Sequence, residues 1–135
     1  MQMPGEFIDT NIVIYTLSKD EYKQKKSIEL LAAMPVMSVQ VLSETANIMK
    51  RKLGFDVAAI RAVINRINQE CSLLQPITLT TLNLALNIAE RYSISHYDSL
   101  IIGAALQANC TILYSEDMQH GQIIEEQIRI INPFL

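Results

Sequence analysis

The sequence predicts an α/β fold, with a central parallel sheet of four to five strands wrapped in helices. Three observations carry this. Short apolar runs rich in β-branched residues, such as "VMS", "TILYS" and "IRII", recur between longer stretches with helical spacing of apolar residues. Half of the 135 residues are hydrophobic and 19% are charged, a balance that collapses into a core rather than staying disordered. No repeat, low-complexity tract or Gly/Ser-rich linker divides the chain, so a single domain over residues 1–135 is expected.

Taken in order, residues 6 to 9 read as a first strand that ends near Asp9 and turns into a short helix. Residues 21 to 33 place Ile28, Leu31 and Ala32 on one helical face, with lysines opposite. A short strand follows near 36 to 38; Ser38 is placed to cap the next helix and Gly54 to stop it. Asp56 is placed to cap a further helix, in which Val57, Ile60, Val63, Ile64 and Ile67 recur at helical spacing. A third strand is expected near 72 to 75. The stretch from 78 to 92 is helical, with Leu82, Ala85, Leu86 and Ala89 on one face. "YDSLIIGAALQANC" makes another helix, starting at or near Asp98. "TILYS" then forms a buried strand ending beside Glu116 and Asp117, and "IRIINPF" closes the fold.

Composition narrows the function classes. No apolar run reaches the roughly 18 residues that span a bilayer, and no basic start precedes an apolar stretch, so a soluble, cytoplasmic protein is expected. Cys71 and Cys110 show no CxxC or Cys/His spacing; both are expected to be buried and reduced, with no metal or redox role. The formal charge of −3 speaks against a strongly basic surface for nucleic acid. Setting aside four acids that share a metal site turns that −3 into +1, which leaves RNA open as a partner.

"FIDTNIVIY" raises the functional question. An aspartate ending an apolar strand is costly to bury unless hydrogen bonds or a cation compensate its charge. Asp9 ends the first strand and Asp117 follows "TILYS"; Glu44 lies one or two turns into the helix after the second strand, and Asp98 in the first turn of another. Strand ends and helix beginnings of an α/β fold share one sheet edge, where ligands collect. Like charges gathered there would raise each other's pKa, whereas Mg²⁺ or Mn²⁺, which prefer oxygen ligands, would turn repulsion into coordination. Each acid also has a plain explanation. Asp98 suits a helix start, Glu44 could be a solvated helix residue, and Asp117 lies in a polar turn. Asp9 is the hardest to explain that way.

Four segments in order, "FIDTNIVIY", "VLSETANIM", "YDSLIIGAA" and "YSEDMQHG", resemble the acidic motifs of PIN-domain ribonucleases, in particular the VapC toxins of bacterial toxin–antitoxin pairs. The resemblance runs from about residue 6 to the C-terminus. It implies a three-layer α/β/α PIN-like fold and Mg²⁺- or Mn²⁺-dependent endoribonuclease activity. It also implies a homodimer and a small antitoxin that blocks the site and binds operator DNA. Carried over, Asp9, Glu44, Asp98 and Asp117 match the catalytic, metal-binding quartet. Asn11 and Ser115 match supporting positions, with Asn11 expected to orient Asp9 or a water and Ser115 to hydrogen-bond a carboxylate. Glu116 is expected to point away, and His120 to be solvated. The chemistry implied is hydrolysis of a phosphodiester by metal-activated water.

Phosphate contacts are expected from Lys50, Arg51 and Lys52, at the end of the helix carrying Glu44, with Lys23, Lys25 and Lys26 as a weaker cluster. Surplus apolar residues between 21 and 68 suggest a dimer interface or a groove for an antitoxin helix. A non-catalytic module using the acidic pocket for metal or protein contact is the alternative. A phosphohydrolase with Asp9 as nucleophile is disfavoured, because Asn11 stands where a second aspartate is usual.

Overall fold

The computed structural model describes residues 5–135. Among the described residues six strands and six helices follow in the order β1 (Glu6–Ile8), α1 (Thr10–Tyr15), α2 (Glu21–Ala32), β2 (Val36–Ser38), α3 (Val39–Arg51), α4 (Val57–Glu70), β3 (Leu73–Gln75), α5 (Leu79–Tyr92), α6 (His96–Gln107), β4 (Ile112–Tyr114), β5 (Ile123–Ile124) and β6 (Ile128–Ile131). The strands form one sheet in the order β3-β2-β1-β4-β6-β5. All neighbours are parallel except β5 and β6. The five expected strands are thus present, and β5 adds an antiparallel edge.

Local signals set most boundaries. Ser38, Asp56 and Thr78 accept backbone N–H groups at the starts of α3, α4 and α5, as N-caps do. Gly54, at φ +70°, turns the chain just after α3 in a conformation that L side chains avoid. α6 packs against β2 and β3 and carries α5 beside it. It is buried continuously from Ser99 to Ala105, and a Cβ on its Gly103 would meet the Thr81 carbonyl at 3.1 Å. Glycine there lets the two helices approach. On the other side α1 packs on α2 and α3, and α3 on α4.

The core gathers Phe7, Ile8, Met37, Leu113, Ile128 and Ile130 from the sheet with Ile12, Ile88, Ile101 and Ile102 from the helices. Each fully buried side chain of this size contributes roughly 1.5–3 kcal/mol over leaving it exposed. Two helical faces differ from expectation. α5 turns Thr81, Ala85 and Ile88 inward and leaves Leu86 half exposed, because its contact is with the small-residue face of α6. In α2 only Leu31 of the expected face is buried; Ile28 and Ala32 line a groove instead. Cys110 is buried, and burial pushes its thiol up to about 12. Cys71 is only half-buried, at the end of α4, and both thiols are free.

Candidate active site

The sheet order makes β1 a switch point. The chain leaves it toward β2 on one side and returns to β4 on the other, so the carboxyl ends of β1 and β4 open a crevice between diverging connections. Asp9 follows β1 directly, and its backbone N–H continues the ladder to the Tyr114 carbonyl at 2.9 Å. The same residue caps α1: Oδ1 accepts the Thr10 N–H at 2.7 Å. Oδ2 accepts the Ser115 hydroxyl at 2.8 Å. Ser115 is itself fixed by its N–H to the Ile131 carbonyl, and its Oγ accepts the Met118 N–H.

Even with these bonds Asp9 is only 4% exposed, and burial raises its pKa from 3.8 to about 6. Ser115 and Thr10 pull the value down, while the charges of Asp98 and Glu44 push it up. Asp98, in the first turn of α6, is half-buried. Burial raises its pKa too, opposed by the Ser95 hydroxyl and reinforced by Asp117 and Glu44. The four expected acids therefore influence one another at a single edge of the sheet.

They do not converge on one point. Glu44 Oε2 accepts Thr10 Oγ1 at 2.6 Å and its Oε1 accepts Gln40 Nε2 at 2.8 Å. Asp117, the most exposed of the four, accepts Asn11 Nδ2 at 2.6 Å. Asn11 thus holds Asp117, not Asp9: it faces the crevice from α1 while Asp9 is already engaged by Thr10 and Ser115. Among the described residues, no three His, Cys, Asp or Glu side chains stand together closely enough to hold one metal ion in this conformation. The donor set is nonetheless all carboxylate oxygen, the kind that Mg²⁺ and Mn²⁺ prefer. Negative charge concentrated where it is costly, as at Asp9, is what a cation would relieve.

The neighbours of the quartet separate into two sets. Glu116 points away from the crevice, toward Lys23 Nζ at 2.6 Å and the Tyr15 hydroxyl. Burial would raise its pKa, but the hydrogen bonds from Lys23 and Tyr15 outweigh this and hold it below the ordinary carboxylate value. Lys23 also lies 4.7 Å from the Tyr15 ring centroid, and Tyr15 meets Phe134 edge-on. This cluster fastens α1, α2 and the C-terminal segment to the loop that bears Asp117. His120 is exposed, and its Nδ1 accepts the Asn132 N–H at 2.9 Å. Lys50, Arg51 and Lys52 are exposed at the far end of α3. Arg51, seven residues past Glu44, shares its helical face at about 10 Å along the axis.

Sequence reasoning missed Thr10 and Gln40, both of which hold Glu44. The spacing of Gln40 and Glu44 on one helix was a signal for the second, since residues four apart on a helix are neighbours. Nothing local marked Thr10 as a partner for a residue 34 positions away.

Fold and crevice together define an α/β protein with an acidic site at the switch point of a mostly parallel sheet. The PIN domain model matches residues 7–124, and the chain belongs to that family. No curated protein matches it in sequence. Among solved structures it is similar to Mycobacterium tuberculosis VapC20, described as a sarcin–ricin loop cleaving toxin. That match has 17% identity and TM-score 0.65, covering 83% of this chain and 89% of that one. It is similar to DNA-bound VapBC from Salmonella typhimurium at 20% identity and TM-score 0.67, covering 95% and 97%. A third is FitAcB from Neisseria gonorrhoeae, at 17% identity and TM-score 0.67, covering 96% and 98%. These likenesses establish the fold.

Proposed function

We propose that this PIN-domain protein is a metal-dependent endoribonuclease of the VapC kind, the toxin of a toxin–antitoxin pair. The observation that carries the reading is the buried Asp9, raised to about 6 and set among Glu44 and Asp98 at the switch point. Asp9, Glu44, Asp98 and Asp117 are the residues that would hold Mg²⁺ or Mn²⁺. Such an ion, when bound, lowers the pKa of water and stabilises charge on the phosphate and leaving oxygens.

The chain's own residues supply orientation. Ser115 and the Thr10 N–H fix both oxygens of Asp9, Thr10 and Gln40 fix Glu44, and Asn11 holds Asp117. Groups that steer ligands in this way govern metal affinity and activity. Lys50, Arg51 and Lys52, which form no ion pair among the described residues, provide phosphate contacts along the RNA.

Solved VapBC and FitAB assemblies bound to DNA support an antitoxin partner that contacts operator DNA. The surface suited to it is a groove of ≈ 250 Å³ between α2 and α4, lined by Leu17, Ile28, Leu31, Val63 and Ile67. A helix presenting apolar side chains fits such a groove. The exposed Leu79 and Leu86, seven residues apart on α5, offer a further apolar face for a homodimer. No helix among the described residues is long and apolar enough to cross a membrane.

The test is cleavage of total cellular RNA with Mg²⁺, Mn²⁺ or EDTA, beside Asp9→Asn. Discrete fragments that need metal and vanish in the variant are expected. The non-catalytic alternative draws on one observation, that no three acids converge in this conformation. Identical behaviour of wild type and variant across metals and RNA pools would put that alternative in its place.

A further inference from the structure

Gln40 occupies the second position of α3 and is 7% exposed. Its side-chain nitrogen donates twice, to Glu44 Oε1 at 2.8 Å and to the Tyr97 carbonyl at 3.0 Å. The two acceptors fix the orientation of the amide. Turning it over would set Oε1 against a carboxylate and a carbonyl, neither of which can donate.

The cost of this arrangement is visible. With the nitrogen committed to Glu44 and Tyr97, Oε1 is buried and receives no hydrogen bond from any described residue. A buried acceptor left unpaired by the protein opposes folding. A glutamine kept there needs a reason, and its two donor bonds supply one. Tyr97 precedes Asp98 in the first turn of α6, so one amide grips an acid of α3 and the backbone beside an acid of α6. Among the described residues this is the only side-chain hydrogen bond between those helices.

We infer that Gln40 is a positioning residue of the acid site: its amide ties Glu44 to the α6 turn bearing Asp98 and so fixes the relation of those two carboxylates. The inference rests on the ribonuclease reading and extends it to a residue outside the acidic motifs. Thr10, on the other oxygen of Glu44, belongs to α1, so Glu44 is held between α1 and α6 rather than by its own helix alone. Losing the amide frees Glu44 to follow Thr10 and leaves the Tyr97 carbonyl without that donor.

The experiment compares wild type with Gln40→Leu, which keeps most of the volume and loses both donors. Mn²⁺ affinity is measured by calorimetry, melting is followed in EDTA, and RNA cleavage is read as kcat and KM. Gln40→Leu is expected to melt cooperatively, to bind Mn²⁺ about 10- to 100-fold more weakly, and to lose activity mainly in kcat. On a Glu44→Ala background the same substitution should leave Mn²⁺ affinity unchanged, because a residue acting through Glu44 has nothing left to position. If Gln40→Leu does not fold, Gln40→Asn, whose shorter amide cannot reach both acceptors, is expected to show the same loss. Wild-type Mn²⁺ binding in the folded variant, or an undiminished effect on the Glu44→Ala background, overturns the assignment while leaving the ribonuclease intact. A wild type that neither binds Mn²⁺ nor cleaves RNA removes the ribonuclease reading, and this assignment with it.

Discussion

Ser115 Oγ and Asp9 Oδ2 are hydrogen-bonded at 2.8 Å although 106 residues separate them in the chain. The bond crosses from the end of β4 to the end of β1, strands that pair in register from Glu6 and Ile112 to Ile8 and Tyr114. Ser115→Ala removes a hydrogen bond to a buried carboxylate, which should cost about 1.5–3 kcal/mol at neutral pH. Metal affinity or activity should fall about 10- to 100-fold. Urea denaturation in EDTA and a Mn²⁺ titration check the two effects separately.

Stability in EDTA should decline as pH rises from about 4 to 7. Asp9 binds its proton more tightly folded, at about 6, than unfolded, at 3.8. Its contribution is therefore fully present below 3.8 and is lost as pH climbs through about 6. The difference amounts to roughly 3 kcal/mol between acid and neutral pH. Asp98, also raised, acts in the same direction. Glu116, held below its ordinary value, acts oppositely and sets the acid limit, since its stabilisation is lost as pH falls. Asp9→Asn should flatten the profile and raise stability at pH 7 while abolishing cleavage. Denaturant midpoints at half-unit pH steps decide this, and a profile rising over that window would contradict the burial of a costly charge at Asp9.

Replacing Lys50, Arg51 and Lys52 together with alanine should raise KM for RNA about tenfold with kcat little changed, because groups remote from the reacting atoms bind ground and transition states alike. Removing each phosphate-binding cation should also reduce the slope of log affinity against log salt by about 0.7 for a single strand. Binding isotherms between low and moderate salt measure it; an unchanged slope would move the RNA path elsewhere.

Val63→Glu places a charge in the groove between α2 and α4. Antitoxin affinity should weaken at least about tenfold, as expected from losing one apolar anchor of roughly 1.5–3 kcal/mol. RNA cleavage by the free protein should not change, since the groove-lining residues do not include the quartet. Co-purification of the variant with antitoxin, alongside wild type, is the check.

Much of this molecule was legible from local chemistry. Ser38 and Asp56 cap helices because their side-chain oxygens accept N–H groups only a few residues ahead. β5 was not legible. Its connection to β6 puts Glu125 and Glu126 at φ +53° and +55°, a conformation that glycine or asparagine would have announced. Remote partners hold that turn: the Tyr92 hydroxyl accepts the Glu125 N–H at 2.8 Å, and Arg91 pairs with the Glu125 carboxylate at 2.6 Å. The inward face of α5 was likewise decided by the helix it packs against, since Leu82 and Leu86 are as apolar as the residues it buries.

The same division runs through the site. The sequence by itself determined which acids stand at strand ends and helix starts, because chain order and hydrophobic periodicity are local properties that together place a residue on a sheet edge. Only the tertiary structure decided which hydroxyl or amide from another element meets which carboxylate: Ser115 with Asp9, Asn11 with Asp117 and Thr10 with Glu44. All three pairs join different elements, and hydrogen bonds are short and directional. Their partners are therefore fixed by strand order and helix packing to within fractions of an ångström, a precision that residue type and spacing do not carry.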